Sequence, residues 1–140
     1  MLITVIVVLA APAAASAADY RGKTSQGKRV SARVVDGRLK LLKLDWKVPC
    51  RKEGYTLSDG THWVDRATGP IEHDGSKFTD GGRREDVYTD GRTVTKETLE
   101  GEILDGRVKG TSTIRVRLYT KSGKRLDYCR GTIRFDVPKV

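Results

Sequence analysis

The chain predicts an all-β domain of about eight or nine antiparallel strands, arranged as one sandwich or meander barrel. Three observations carry that expectation. Beyond residue 18, no stretch of helical length repeats apolar residues at i, i+3, i+4 and i+7 without an interrupting glycine. Asp-Gly recurs at Asp36-Gly37, Asp59-Gly60, Asp74-Gly75, Asp80-Gly81, Asp90-Gly91 and Asp105-Gly106. Asp-Gly suits type I′ turns, where both central residues take φ > 0, so these dipeptides read as punctuation between strands. The C-terminal stretch alternates apolar and polar residues with the strict period of two that marks a half-buried antiparallel pair.

Residues 1–18, MLITVIVVLAAPAAASAA, contain no charged side chain, and 15 of the 18 are apolar. The apolar run Leu2–Ala11 is too short to cross ~30 Å of hydrocarbon comfortably. Ala15-Ser16-Ala17 fits a small-x-small cleavage site. The expectation is a signal peptide over 1–18 and a single β domain over 19–140, beginning at Ala18 or Asp19. No basic residue precedes the run, so either the α-amino group supplies the positive charge or the true start lies upstream. An uncleaved N-terminal anchor is the alternative. The implied location is secreted, extracellular or in the cell envelope.

The first hairpin turns at Asp36-Gly37 and pairs Val34 with Leu39 and Ala32 with Leu41. Its apolar phase then slips to Leu42, Leu44, Trp46 and Val48, the signature of a bulge. Residues 51–90 are less regular, with short strands at Trp63-Val64, Phe78 and Val87-Tyr88. The next hairpin turns at Asp105-Gly106 and pairs Ile103 with Val108, Gly101 with Gly110 and Leu99 with Ser112. Continued outward, that register buries Glu97 against Ile114, so a bulge is expected near Lys96–Thr98 to swing Val94 inward. The last hairpin turns at Ser122-Gly123. It puts Ile114, Val116, Leu118, Cys129, Ile133 and Phe135 on one face, with Asp127 opposite Leu118 at the rim.

The core is lean. Leu, Ile, Val and Phe make up about 21% of residues 19–140, close to the ~20% below which a charged chain stays disordered. Cys50 and Cys129 are the only cysteines. In an exported chain the default for two cysteines is one disulfide, which offsets a thin core. Cys129 points inward in the derived register, so the bond reads as structural.

Catalytic and metal chemistry find little support. The chain has no CxxC, no HExxH and no EF-hand spacing. His62 and His73 would have to converge with a carboxylate to hold a metal; Glu72-His73-Asp74-Gly75 reads instead as a polar turn with an exposed histidine. Ser58-Asp59-Gly60-Thr61-His62 collects nucleophile-type residues without the nucleophile elbow. The pairs Glu85-Asp86 and Glu97/Glu100 read as balance for Arg and Lys. Gly81-Gly82-Arg83-Arg84 is too short for a phosphate loop. The expectation is a non-enzymatic protein without catalytic residues, metal or cofactor.

Charge is the strongest functional signal. The chain carries 27 basic and 18 acidic residues, a formal charge of +9. The outward face of the last hairpin collects Arg115, Arg117, Tyr119, Tyr128, Arg130 and Arg134, with Arg115 directly across from Arg130. Like charges opposed on a sheet destabilise it unless an anion lies between them. Arginine grips phosphate, sulfate or carboxylate in bidentate fashion, and tyrosine adds stacking. The face therefore predicts a structural or binding protein for anionic polysaccharide, teichoic acid or lipid head groups; export argues against nucleic acid. The bland alternative is a solubilising surface, since Arg and Tyr are good solvent-facing strand residues. A third reading is a small β-barrel carrying an apolar small molecule.

Two stretches carry a resemblance. Thr24-Ser25-Gln26-Gly27 followed by Val30, and Cys129-x-Gly131-x-Ile133-x-Phe135, resemble the opening and closing strands of small exported bacterial β-domains, often actinobacterial, that have no assigned activity. Gly101 and Gly110 sit where those sequences tend to place glycines. The resemblance implies an exported all-β domain with one disulfide and brings no catalytic residue with it. The polar middle of the chain departs from the pattern.

Overall fold

The structure, a computed structural model, describes residues 16–52 and 54–140. Most of the expected signal peptide therefore lies outside the described residues. Nine strands follow in order: β1 (Ala17–Lys23), β2 (Arg29–Val35), β3 (Arg38–Pro49), β4 (Thr56–Val64), β5 (Glu72–Asp74), β6 (Lys77–Val87), β7 (Gly91–Leu104), β8 (Arg107–Thr120) and β9 (Arg125–Pro138). They form two antiparallel meanders, a four-stranded sheet β1-β2-β3-β4 and a five-stranded sheet β5-β6-β7-β8-β9. The sheets pack as a sandwich. They touch along one flank, where β9 meets β1 and β3 through the bridges Tyr20–Lys139, Thr24–Phe135 and Cys50–Cys129. On the other flank β4 and most of β6 leave their outer edges unpaired, so the meander does not close into a barrel.

Period-two patterning explains the core. Leu42, Leu44, Trp46 and Val48 alternate inward on β3, facing Ile114 and Val116 of β8 and Cys129, Ile133 and Val137 of β9; each is at most 1% exposed. Burying a side chain of this kind contributes about 1.5–3 kcal/mol. The Cys50–Cys129 disulfide forms as expected, closing a separation of 79 residues.

Both C-terminal registers agree with the sequence expectation at Ile103–Val108, Gly101–Gly110, Arg115–Arg130 and Leu118–Asp127. Asp127 is half-buried rather than idle, and its carboxylate accepts the N–H groups of Arg51 and Lys52 at 3.1 and 3.3 Å. The turn after β8 is longer than Ser122-Gly123. A shift after Leu118 sets Tyr119 against Arg125, and Thr120 N–H donates to Lys124 C=O at 2.8 Å.

Four further expectations need correction. The bulge in the first hairpin is present between Arg33 and Val34, but it pairs Ala32 with Leu42, not Leu41. No bulge interrupts β7 and β8: Lys96 stays outward and Glu97 is buried opposite Ile114. Among the Asp-Gly pairs, only Asp36-Gly37 has φ > 0 at both residues, 49° and 76°. Asp59-Gly60 and Asp80-Gly81 are not turns at all. They lie inside β4 and β6, where each aspartate accepts the N–H of its own glycine at 2.8 Å and the chain runs on extended. The short strands expected in the middle segment are thus the ends of two long ones.

The passage from the first sheet to the second is tied by Asp65. Its carboxylate, 6% exposed, accepts Ile71 N–H at 2.9 Å, Lys40 Nζ at 3.0 Å and Arg38 Nε at 3.4 Å. Burial alone would raise this carboxyl, but Lys40, Arg38 and the Ile71 amide outweigh burial and bring its pKa from 3.8 to about 2. A depressed carboxylate stabilises the fold above its unfolded pKa, and that part is lost as pH falls through the folded value. Asp65→Asn should therefore lower stability by about 2 kcal/mol at neutral pH. Its gap to wild type should close between pH 4 and 2 in pH-dependent denaturant melts; a gap independent of pH contradicts this account.

Candidate functional site

The outward face of the five-stranded sheet is read directly from register, because residues opposite each other share a face. Arg115, Arg117 and Tyr119 on β8 and Tyr128, Arg130 and Arg134 on β9 all point outward, as the alternation requires. Arg115 and Arg130 are exposed and directly opposed. The row extends further than the last hairpin. Lys96 of β7 lies across from Arg115, and Arg83 of β6 lies across from Lys96. Arg83, Lys96, Arg115 and Arg130 thus form one cationic row over four adjacent strands, about one strand spacing (~4.8 Å) apart.

Sequence reasoning missed Lys96 and Arg83 for a single reason. Both require β6 to be a long strand and β7 to run without a bulge. The burial of Glu97, which made a bulge look necessary, is satisfied from the other sheet. Trp46 Nε1–H donates to Thr61 Oγ1 at 2.9 Å, and the Thr61 hydroxyl donates to Glu97 Oε1 at 2.6 Å. With that partner in place Glu97 keeps its inward phase and Lys96 its outward one.

The surroundings of the row are not a random polar surface. Three outward rows along the strands, Lys77–Glu102–Lys109–Asp136 alternates in sign from strand to strand, the arrangement that stabilises neighbouring strands. The cationic row breaks that rule on the same four strands. Among the described residues, Arg83 has one acidic partner, Glu85 at 3.4 Å, while Lys96, Arg115, Arg117, Arg130 and Arg134 have no carboxylate within salt-bridge distance. Between the two rows run Gly81–Thr98–Thr113–Thr132, uncharged and with three hydroxyls, and Thr79–Glu100–Thr111–Arg134, with one charge of each sign.

The tyrosines do not offer bare faces. Arg51 and Arg117 lie over the Tyr128 ring at 5.2 and 5.7 Å, and Arg92 lies over Tyr119 at 4.4 Å. Cation–π attraction of this kind places guanidinium groups. Each ring is thus already covered by a guanidinium.

Two concavities adjoin the sheet. One, of about 770 Å³, lies beside the threonine row; its floor includes Gly101 and Gly110, and Thr79, Thr111, Lys109 and Arg134 stand around it. The other, of about 650 Å³, opens between the unpaired edges of β4 and β6. Its walls include Trp63 and Arg84, and Glu97 lies at its base. Burial pushes the Glu97 carboxyl up, opposed in part by the Thr61 hydroxyl and Arg84. Arg84 bridges the mouth to Asp59 at 2.9 Å.

The remaining candidates are dispersed. Ser58-Asp59-Gly60-Thr61-His62 lies within a strand, so Thr61 turns into the core while His62 is exposed. Glu97 and Glu100 fall on opposite faces of β7. His62 and His73 belong to different sheets. His73 is half-buried rather than exposed: its Nε2 accepts Leu39 N–H at 3.2 Å, and burial followed by nearby Arg38 lowers its pKa. Among the described residues no three His, Cys, Asp or Glu side chains are grouped to hold a metal ion. Compared with protein-family models, with curated proteins and with solved structures, the chain matches none of them.

Proposed function

We propose that this is an exported, non-enzymatic binding protein that holds an anionic polymer of the cell envelope or its surroundings on the outward face of the five-stranded sheet. The observation that carries this reading is the row Arg83–Lys96–Arg115–Arg130. Four cations opposed in register, beside rows that are neutral or of mixed sign, make little sense as sheet stabilisation. They make sense as a surface completed by an anion, with Arg117 and Arg134 flanking it. A disulfide fits an oxidising compartment. A carrier of an apolar molecule is less well supported. Trp46, Phe78 and the aliphatic side chains fill the space between the sheets, and the cleft left at the β4–β6 flank is lined by Arg84, Asp80 and Glu97.

Retention on heparin or teichoic acid tests the proposal. Wild type should elute progressively earlier as salt rises. The Lys96→Ala/Arg115→Ala/Arg130→Ala variant should bind ~10–100-fold more weakly, because three exposed charge-assisted contacts contribute up to about 1 kcal/mol each. Removing like charges from a row should leave its melting temperature unchanged or slightly raised. Co-elution of the folded variant with wild type would reject the face as the binding site.

A further inference from the structure

The face distinguishes among polyanions, and it does so through two features that charge alone does not explain. The first is linear charge density. The cationic row places one cation per strand, at ~4.8 Å intervals across the sheet. A 1,4-linked pyranose advances a polysaccharide by about one strand spacing, so a chain with one acid group per sugar presents charge at the density of the row. Long Arg and Lys side chains can reach acid groups on either side of such a chain. The second feature is what lies alongside. Thr98, Thr113 and Thr132 are on the three strands β7, β8 and β9 that carry Lys96, Arg115 and Arg130, two residues along each strand. Beyond them comes the concavity of about 770 Å³, with glycine backbone in its floor and the hydroxyls of Thr79 and Thr111 around it, in one row with Glu100 and Arg134. Cations alone run along one side of a line, and along the other run first hydroxyls and then backbone and hydroxyls with charges of both signs.

We propose that the polymer is a linear acidic polysaccharide lying across the strands, its acid groups on the cationic row and its sugar hydroxyls on the threonine row and the adjoining concavity. This rests on the reading of the face as a polyanion site and narrows it to one chemical class. A polyphosphate or a polyglutamate chain satisfies the cations but brings no ring of hydroxyls that could both donate to and accept from the threonines.

Polygalacturonate, its fully methyl-esterified form, polyphosphate and poly-glutamate separate the possibilities in one titration series with the disulfide-bonded protein. Polygalacturonate should bind about tenfold or more tightly than polyphosphate and poly-glutamate at equal ionic strength, because hydrogen bonds add to the charge contacts. The methyl ester should lose most of the affinity. Thr98→Val/Thr113→Val/Thr132→Val, which keeps strand propensity, should weaken polygalacturonate about tenfold and leave polyphosphate unchanged. Equal binding of all three polyanions, or a threonine variant indistinguishable from wild type, overturns the polysaccharide assignment while the polyanion reading stands. No binding of any polyanion overturns both.

Discussion

Replacing Cys50 and Cys129 together by alanine lowers the free energy of unfolding by about 3–5 kcal/mol and the thermal midpoint by roughly 10–20 °C. The bond spans 79 residues, so it removes a long loop's worth of freedom from the unfolded chain. Its position in the fold adds to this. It joins the end of β3 to β9, on the one flank where the two sheets are in register with each other. Immediately beside it Arg51 N–H donates to Tyr128 C=O at 3.0 Å, and Gly131 makes room for Val48 to cross against β9. With about a fifth of the domain in Leu, Ile, Val and Phe, few other contacts hold that flank. Denaturant melts of the double variant and of reduced wild type should coincide, both shifted to lower midpoints. A variant that melts with oxidised wild type would show that the β3–β9 contact stands without the bond. Cys129 faces inward on β9 and Arg130 outward, so under conditions where the variant is still folded the proposed salt-dependent binding of polyanions should be unchanged.

Legibility followed locality. The two C-terminal hairpins were readable to the residue because both strands of each pair alternate cleanly and one short turn separates them, as at Gly101–Gly110 and Arg115–Arg130. The strands β4 and β6 were not, because neither presents a clean apolar face. Their inward positions include Asp59, Thr61, Asp80, Gly82 and Arg84, which border a polar cleft at an unpaired edge rather than a core. Asp59-Gly60 and Asp80-Gly81 look like turns for a related reason. Asp-Gly is equally able to stay extended when the carboxylate takes the glycine's N–H, and no neighbour in sequence signals which will happen.

The candidate face was half legible for the same physical cause. Its β8–β9 half depends on one hairpin. Its β6–β7 half depends on Glu97 staying inside, and the groups that make this possible, Thr61 and Trp46, come from the opposite sheet. Thr61 lies 36 residues away in sequence. A buried carboxylate looks like a patterning error until its partner is seen. The correction of that one residue moves Lys96 to the outside and turns a pair of opposed arginines into a row of four cations.

Gly110→Ala should cost about 3–4 kcal/mol, among the largest effects of any single added methyl in this fold. Phe78, Gly101, Gly110 and Phe135 occupy one cross-strand row on the inner face, and the two rings lie over the two glycines. A Cβ on Gly110 would sit 2.6 Å from Phe135 Cζ and 2.5 Å from the Glu100 carbonyl oxygen. The ring can rotate away, but the carbonyl belongs to the β7 backbone and cannot move without bending the ladder. Gly110→Ala/Phe135→Leu should consequently remain destabilised, since it relieves only one of the two contacts. Gly101→Ala meets the same pair of obstacles, Phe78 and the Lys109 carbonyl oxygen at 2.5 Å. Gly123→Ala is the contrast: nothing lies within 4 Å of its Cβ, and only its φ of +92° opposes the change, so about 1 kcal/mol is expected. A Gly110→Ala protein that melts within 1 kcal/mol of wild type would refute the close packing of this row. The same glycines contribute to the floor of the concavity beside Thr98, Thr113 and Thr132. Where a glycine variant still folds, the polysaccharide proposal expects displacement of that floor to weaken polygalacturonate more than polyphosphate, because the cationic row remains in place while the concavity's surface does not.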